Sequence, residues 1–128
     1  MHACCFFFSV SAKYRSHMLE QPVKEEIVTF ITSPSEDEAA GIARALVESR
    51  LAACVNIVRN IRSIYAWQGK IEDDTEVLMI AKTQRNLFDA LSAKVKELHS
   101  YDVPEIIAIS IIDGSEDYLK WIKESTGH

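Results

Sequence analysis

Apolar positions recur along this chain in two rhythms, and the switches between them predict its elements. EIVTFIT, beginning at Glu26, is apolar on both faces (Ile27, Val28, Phe30, Ile31) and rich in β-branched residues, which predicts an inner strand. SPSEDEAAGIARALVESRL then carries Ala39, Ile42, Ala43 and Leu46 at helical spacing. Ser33 or Ser35 suits the N-cap, with Glu36 or Glu38 three residues on to close a capping box, and Pro34 suits the first turn. Gly41 costs helix stability and is expected to mark close approach to the sheet.

Two long extended runs follow. AACVNIVRNIRSIYAW places Ala53, Val55, Ile57, Ile61, Tyr65 and Trp67 on one side and Cys54, Val58 and Ile64 on the other. Beyond Gln68-Gly69-Lys70, a hairpin signal, IEDDTEVLMIAKT turns apolar only from Val77 to Ile80. TQRNLFDALSAKVKELHS predicts a second amphipathic helix with Leu87, Phe88, Leu91, Val95 and Leu98 as its stripe. The aliphatic run EIIAISIID predicts a central strand. GSEDYLKWIKES predicts a closing helix, capped by Ser115, with Tyr118, Leu119 and Ile122 facing inward.

The order is βαββαβ plus a terminal helix. Right-handed crossovers then predict an α+β fold: an antiparallel four-stranded sheet with both main helices on one face, the ferredoxin-like sandwich. If the run from Ala53 to Trp67 is mostly strand, it spans on the order of 45 Å at about 3.3 Å per residue. A domain of this size has a radius of gyration of only about 13 Å. The hairpin tip, with Ile61, Ile64, Tyr65 and Trp67, is therefore expected to project and to be sheltered by neighbouring copies in a closed ring. A bulge near Arg59-Asn60 that folds the hairpin back onto its own core is the alternative.

Composition narrows the classes. The chain has 128 residues, one domain's worth, and its net charge of −5 with no Lys/Arg cluster speaks against a nucleic-acid binder. No apolar run reaches the roughly 18 residues of a membrane span. The odd set Cys4, Cys5 and Cys54 suits a reducing compartment, and Cys54 is expected to be an inert buried thiol. Residues 1–25 form an N-terminal extension, disordered or a targeting segment, and residues 26–128 the folded domain. A cytoplasmic home is expected, with Met18 as the working start. Organelle or secretory targeting through residues 1–17 is the alternative, Val10-Ser11-Ala12 passing for a cleavage site.

Candidate chemistry concentrates in Leu98-His99-Ser100-Tyr101-Asp102-Val103-Pro104-Glu105, between the second helix and the last strand. His99 with Glu105 offers an imidazole and a carboxylate to Cu²⁺ or Zn²⁺; the competing reading is a helix-terminal histidine whose positive form the helix dipole favours. Tyr101, Glu76 and Lys82 are expected to line a cleft, with Glu76 and Lys82 a possible buried pair, while Asp73 and Asp74 belong to a solvated edge. Tyr65 and Trp67 read as interface anchors. No nucleophile stands at an interpretable spacing from His99, so no enzyme is expected. The acids and Leu78/Met79 of the third strand exclude an RNA-recognition platform, and the acidic TSPSEDE loop excludes an acylphosphatase-like anion cradle.

RLAACVNI, SIYAWQGKIE, EVLMIAKT and YDVPEIIAI, in this order and at these intervals, resemble the CutA family of divalent-cation-tolerance proteins from about Ile27 to Glu124. The specific elements are the W-x-G-K-I/L turn (Trp67, Gly69, Lys70, Ile71) and P-E-I/L (Pro104, Glu105, Ile106). The resemblance implies a ferredoxin-like subunit in a PII-like homotrimer with hairpins exchanged between neighbours, a role in copper or other divalent-ion tolerance, and in animal relatives the anchoring of membrane-bound enzymes. Copper-binding members carry a cysteine at the end of the first strand and a histidine pair after the second helix. Here those positions are Ile31 and Leu98-His99, so a single soft ligand of that set is present. A trimeric sensor or assembly protein, binding an organic ligand or partner in inter-subunit clefts, is the other reading.

Overall fold

The computed structural model describes residues 25–127. The extension expected over residues 1–25 therefore lies, apart from Glu25, outside the described residues. The elements are β1 (Glu26–Ser33), α1 (Glu36–Glu48), β2 (Cys54–Trp67), β3 (Lys70–Gln84), α2 (Phe88–Leu98), β4 (Ile106–Ser110) and α3 (Glu116–Ser125), with a 3₁₀ turn at Arg85–Leu87 ahead of α2. The sheet order is β2-β3-β1-β4, with every neighbouring pair antiparallel. Ile31, Met79 and Ala81 of the sheet share one core with Ala39, Ile42 and Leu46 of α1 and Leu91 and Val95 of α2. Both main helices thus cover one sheet face, which is the ferredoxin-like sandwich.

α1 starts where the sequence has its capping cluster. Ser35 is extended and its Oγ accepts the Glu38 amide at 3.2 Å, while Glu36, Asp37 and Glu38 fill the first turn and oppose the helix dipole. Ser33 instead donates to the Ser35 carbonyl at 3.1 Å, and Pro34 precedes the cap instead of opening the helix. The capping box stays open, because the Glu38 carboxylate turns outward to Ser100. Gly41 does not approach the sheet: it is exposed, and a Cβ there would meet nothing within 4 Å.

The β2–β3 hairpin turns on Gln68 (φ 51°) and Gly69 (φ 79°), two left-handed residues as a type I′ turn requires. Lower down, Val58 faces Leu78 and Ile61 faces Glu76, so Arg59 and Asn60 together oppose Val77, and Asn60 is left-handed at φ 59°. This bulge changes the side-chain pattern. Val55 and Ile57 sit opposite Ala81 and Met79 on the helix-covered face, whereas Ile61, Tyr65 and Trp67 sit opposite Glu76, Glu72 and Lys70 on the other. The single apolar side expected from Ala53 to Trp67 is therefore split in two. The bulge does not fold the tip back onto the core either: Ile64 is 63% and Trp67 50% exposed.

Other expectations shift at the margins. β4 is an edge strand and not central; Ile107 and Ile109, opposite Phe30 and Val28 on the uncovered face, are each 56% exposed. Leu98 and Tyr118 face solvent, while Leu91, Val95 and Ile122 are buried. Ser115 holds the N-cap position of α3 without a side-chain hydrogen bond. α3 packs on β3 and β1, and its end is clamped by Arg50, which donates to the Glu124 and Gly127 carbonyls at 2.8 Å each.

Candidate functional site

The segment after α2 ends the helix and crosses the end of β1. His99 closes α2 by donating its amide to the Val95 carbonyl at 2.8 Å, and its extended backbone then sends the chain away from the helix axis. The imidazole is buried and doubly engaged. Nδ1 accepts the Tyr101 amide at 3.0 Å, and Nε2 lies 2.7 Å from the Thr32 carbonyl, which can only accept, so Nε2 carries the hydrogen. These partners define the tautomer that carries its hydrogen on Nε2 and accepts at Nδ1. Glu38 Oε2 lies 3.5 Å from Nδ1, but it already accepts the Ser100 amide and hydroxyl at 3.2 and 3.0 Å.

Tyr101 carries the connection onward. Its ring lies 4.8 Å from that of His99, and its hydroxyl donates to Glu76 Oε2 at 3.0 Å. Glu76 is buried, at 6% exposure: the regular alternation of β3 puts it on the face opposite Val77, under the Tyr101 hydroxyl. Burial, then the Glu76 hydrogen bond and charge, push the Tyr101 phenol up to about 12. Further along the same face of β3, Asp74 Oδ2 accepts the Tyr65 hydroxyl at 2.7 Å. That bond leads the causes that push Tyr65 up to about 12, with burial and the charges of Asp74, Glu76 and Glu72 behind it.

Between the arm and the loop lies a groove of about 930 Å³. Its walls include Tyr65 and Trp67 from the arm, Glu76 from its root, and Tyr101, Asp102 and Glu105 from the loop. The structure thus brings together six of the site and interface residues singled out in the sequence: Ile64, Tyr65, Trp67, Glu76, Tyr101 and Glu105. Glu105 stands at the exposed rim, and His99 lies beneath the loop with its side chain wholly enclosed. Lys82 is elsewhere. It sits near the other end of β3 with its Nζ on Asn56 Oδ1, so it neither lines the groove nor pairs with Glu76. Asp73, expected to be merely solvated, takes a two-pronged bond from Arg62 at 2.8 and 2.6 Å, which holds its carboxyl below the usual range. Cys54 is half-buried, not enclosed. Sequence reasoning passed over Thr32, whose backbone carbonyl has no sequence signal, and Arg62, whose i+11 partner only the hairpin register reveals.

A family model described as CutA1 divalent ion tolerance protein matches residues 27–125. The chain belongs to the CutA1 family. It is 53% identical over 102 residues to the divalent-cation tolerance protein CutA of Thermus thermophilus, covering 80% of this chain and 99% of that one. It is also 52% identical over 97 residues to human Protein CutA and 43% over 121 residues to chloroplastic Protein CutA of Arabidopsis thaliana. The match spans only 54% of the human and 66% of the Arabidopsis relative. Among solved structures, Thermus thermophilus Cut A1 superposes with a TM-score of 0.78, covering 80% of this chain and 99% of that one. Oryza sativa CutA1, 45% identical, superposes at 0.79, covering 82% and 96%.

A resident metal fits these residues poorly within one chain. Among the described residues no group of three or more His, Cys, Asp or Glu side chains is arranged to hold a metal ion. His99 would have to give up either the Thr32 or the Tyr101 bond to offer a lone pair. Among the described residues, no helix is long and apolar enough to cross a membrane.

Proposed function

We propose that this CutA1-family chain is a non-enzymatic homotrimer that serves divalent-cation tolerance through a ligand-binding groove completed between subunits. One observation carries this reading: the arm that walls the groove is uncovered, with Ile64, Trp67 and Ile71 exposed at 63, 50 and 75%. Soluble chains avoid leaving such an apolar strand edge in water. The uncovered sheet face adds Val58, Ile107 and Ile109. The sheet ends in two different open edges, β2 and β4, and a contact between unlike surfaces of successive copies must close into a ring or polymerise. Ile61, Ile64, Tyr65 and Trp67 are the proposed interface residues. The hydroxyls of Ser100 and Tyr101 are held by the Glu38 and Glu76 carboxylates at 3.0 Å each, with no His between hydroxyl and acid as a hydrolytic triad has, which supports the binding reading. Cytoplasmic residence is part of the reading, with delivery elsewhere through residues 1–17 as its alternative; the mass of the mature chain decides between them.

Sedimentation at micromolar concentration tests the assembly. The expected result is a single trimeric species that Ile64→Asp with Trp67→Asp converts to monomer, and a well-folded wild-type monomer overturns it. Direct Cu²⁺ or Zn²⁺ binding at His99 and Glu105, the copper-handling form of the reading, is tested by calorimetry on wild type and His99→Ala. The enclosed imidazole supports equal heats from both proteins; loss of binding in the variant, with its fold intact, assigns the ion to His99.

A further inference from the structure

The groove's walls restrict what it can hold. Glu76 is nine-tenths buried, yet its recorded partner is the neutral Tyr101 hydroxyl, and among the described residues no Lys, Arg or His forms an ion pair with it. A buried carboxylate without a cation is costly and calls for one. Among the described residues Arg62 is the one cationic side chain of the lining, and it is committed to Asp73. Asp102 and Glu105 add charge of the same sign at the rim, and Asp74 and Glu72 follow Glu76 along the same face of β3. Anionic ligands such as phosphates and carboxylates are repelled here.

The remaining walls favour an organic cation over a bare metal ion. Tyr65, Trp67 and Tyr101 supply aromatic rings, which attract cations over their faces. Tyr65 and Tyr101 stay neutral at ordinary pH and are fixed by donating to Asp74 and Glu76. In the single chain the groove measures about 930 Å³, before a neighbouring copy meets Ile64, Tyr65 and Trp67, and its lining includes the apolar Val103 and Pro104.

Resting on the groove reading above, we propose that the groove takes an aliphatic amine of the di- or polyamine class, one ammonium seated on Glu76, the chain against Trp67 and Tyr65, and a second ammonium at the Asp102–Glu105 rim. Calorimetry on the full chain with putrescine, with succinate as a dianion of the same carbon count, tests it. The expected result is saturable putrescine binding that weakens with salt, weakens roughly tenfold or more in Glu76→Gln, and is absent for succinate. Asp102→Asn, at the exposed rim, keeps the test independent of folding defects and is expected to weaken putrescine by a smaller factor. Succinate binding as well as putrescine, no putrescine heat at millimolar concentration, or unchanged affinity in both variants overturns the inference. Sedimentation of the same samples separates the two readings: a trimer that ignores putrescine overturns this inference alone, and a monomer that binds it overturns the assembly alone.

Discussion

The Tyr101 hydroxyl and Glu76 Oε2, 3.0 Å apart, tie the loop after α2 to the root of the β2–β3 arm. Among the described residues, no other hydrogen bond joins either residue to the opposite element. Tyr101→Phe leaves Glu76 buried without its donor. A loss of about 1–3 kcal/mol in denaturant unfolding is expected, with the midpoint shifting and the slope unchanged.

Burial of Tyr101 together with its Glu76 bond, and the Tyr65–Asp74 bond, make stability depend on alkaline pH. Tyr65 and Tyr101 lie near 12 in the folded chain against an ordinary 10.0, so the folded state keeps protons that the unfolded state releases. Their contribution is complete below about pH 10 and is lost as the pH rises toward 12. Tyrosinate absorbance should show late-titrating phenols in the folded chain; Tyr101→Phe and Tyr65→Phe should each remove one, and Glu76→Gln should lower the Tyr101 transition.

His99 serves as an internal strut. His99→Ala leaves the Thr32 carbonyl and the Tyr101 amide unpaired in a buried place and opens a cavity. A cost of about 2–4 kcal/mol is expected from urea titration. A cost below about 0.5 kcal/mol would show that water replaces the ring and that the strut is dispensable.

Gly41 points the other way. It sits mid-helix in α1, exposed, with open space where a Cβ would go. Gly41→Ala should raise stability by about 0.5–1 kcal/mol in the same titration, and a loss would mean that this face is occupied in the assembled protein.

The arm's turn separates backbone from side-chain effects. Gly69→Ala, at φ 79°, should cost about 1 kcal/mol, whereas Gln68→Asn, at φ 51°, creates the Asn-Gly pair that type I′ turns prefer and should stabilise. Thermal midpoints of the two variants should move in opposite directions.

Period and punctuation carried most of the fold into view. Ala39, Ile42, Ala43 and Leu46 keep helical spacing and are all buried; Ser35 caps its helix; Gly69 turns the hairpin. Such signals are local, set by neighbours three or four residues away or by one residue's own φ. Of the site, Glu76, Tyr101, Tyr65 and Trp67 were visible as chemistry but not as an arrangement. Lys82 was placed in the cleft because it shares a strand face with Glu76, yet six residues of extended chain carry it away.

The amino-acid order alone determined the βαββαβ succession, the two core-facing helices and an arm too long for its domain, because each follows from a repeat that a short window contains. Only the tertiary structure decided that the bulge at Arg59–Asn60 turns Ile61, Tyr65 and Trp67 to the uncovered face, that β4 closes the sheet as an edge, and that His99 spends both nitrogens on Thr32 and Tyr101. These depend on register between strands and on contacts across 67 and 25 residues of chain, His99 with Thr32 and Tyr101 with Glu76. One extra residue in one strand reverses every side chain beyond it. The sequence pointed to Arg59–Asn60 as a place for a bulge, but whether it formed and which way it sent the tip depended on pairing with β3.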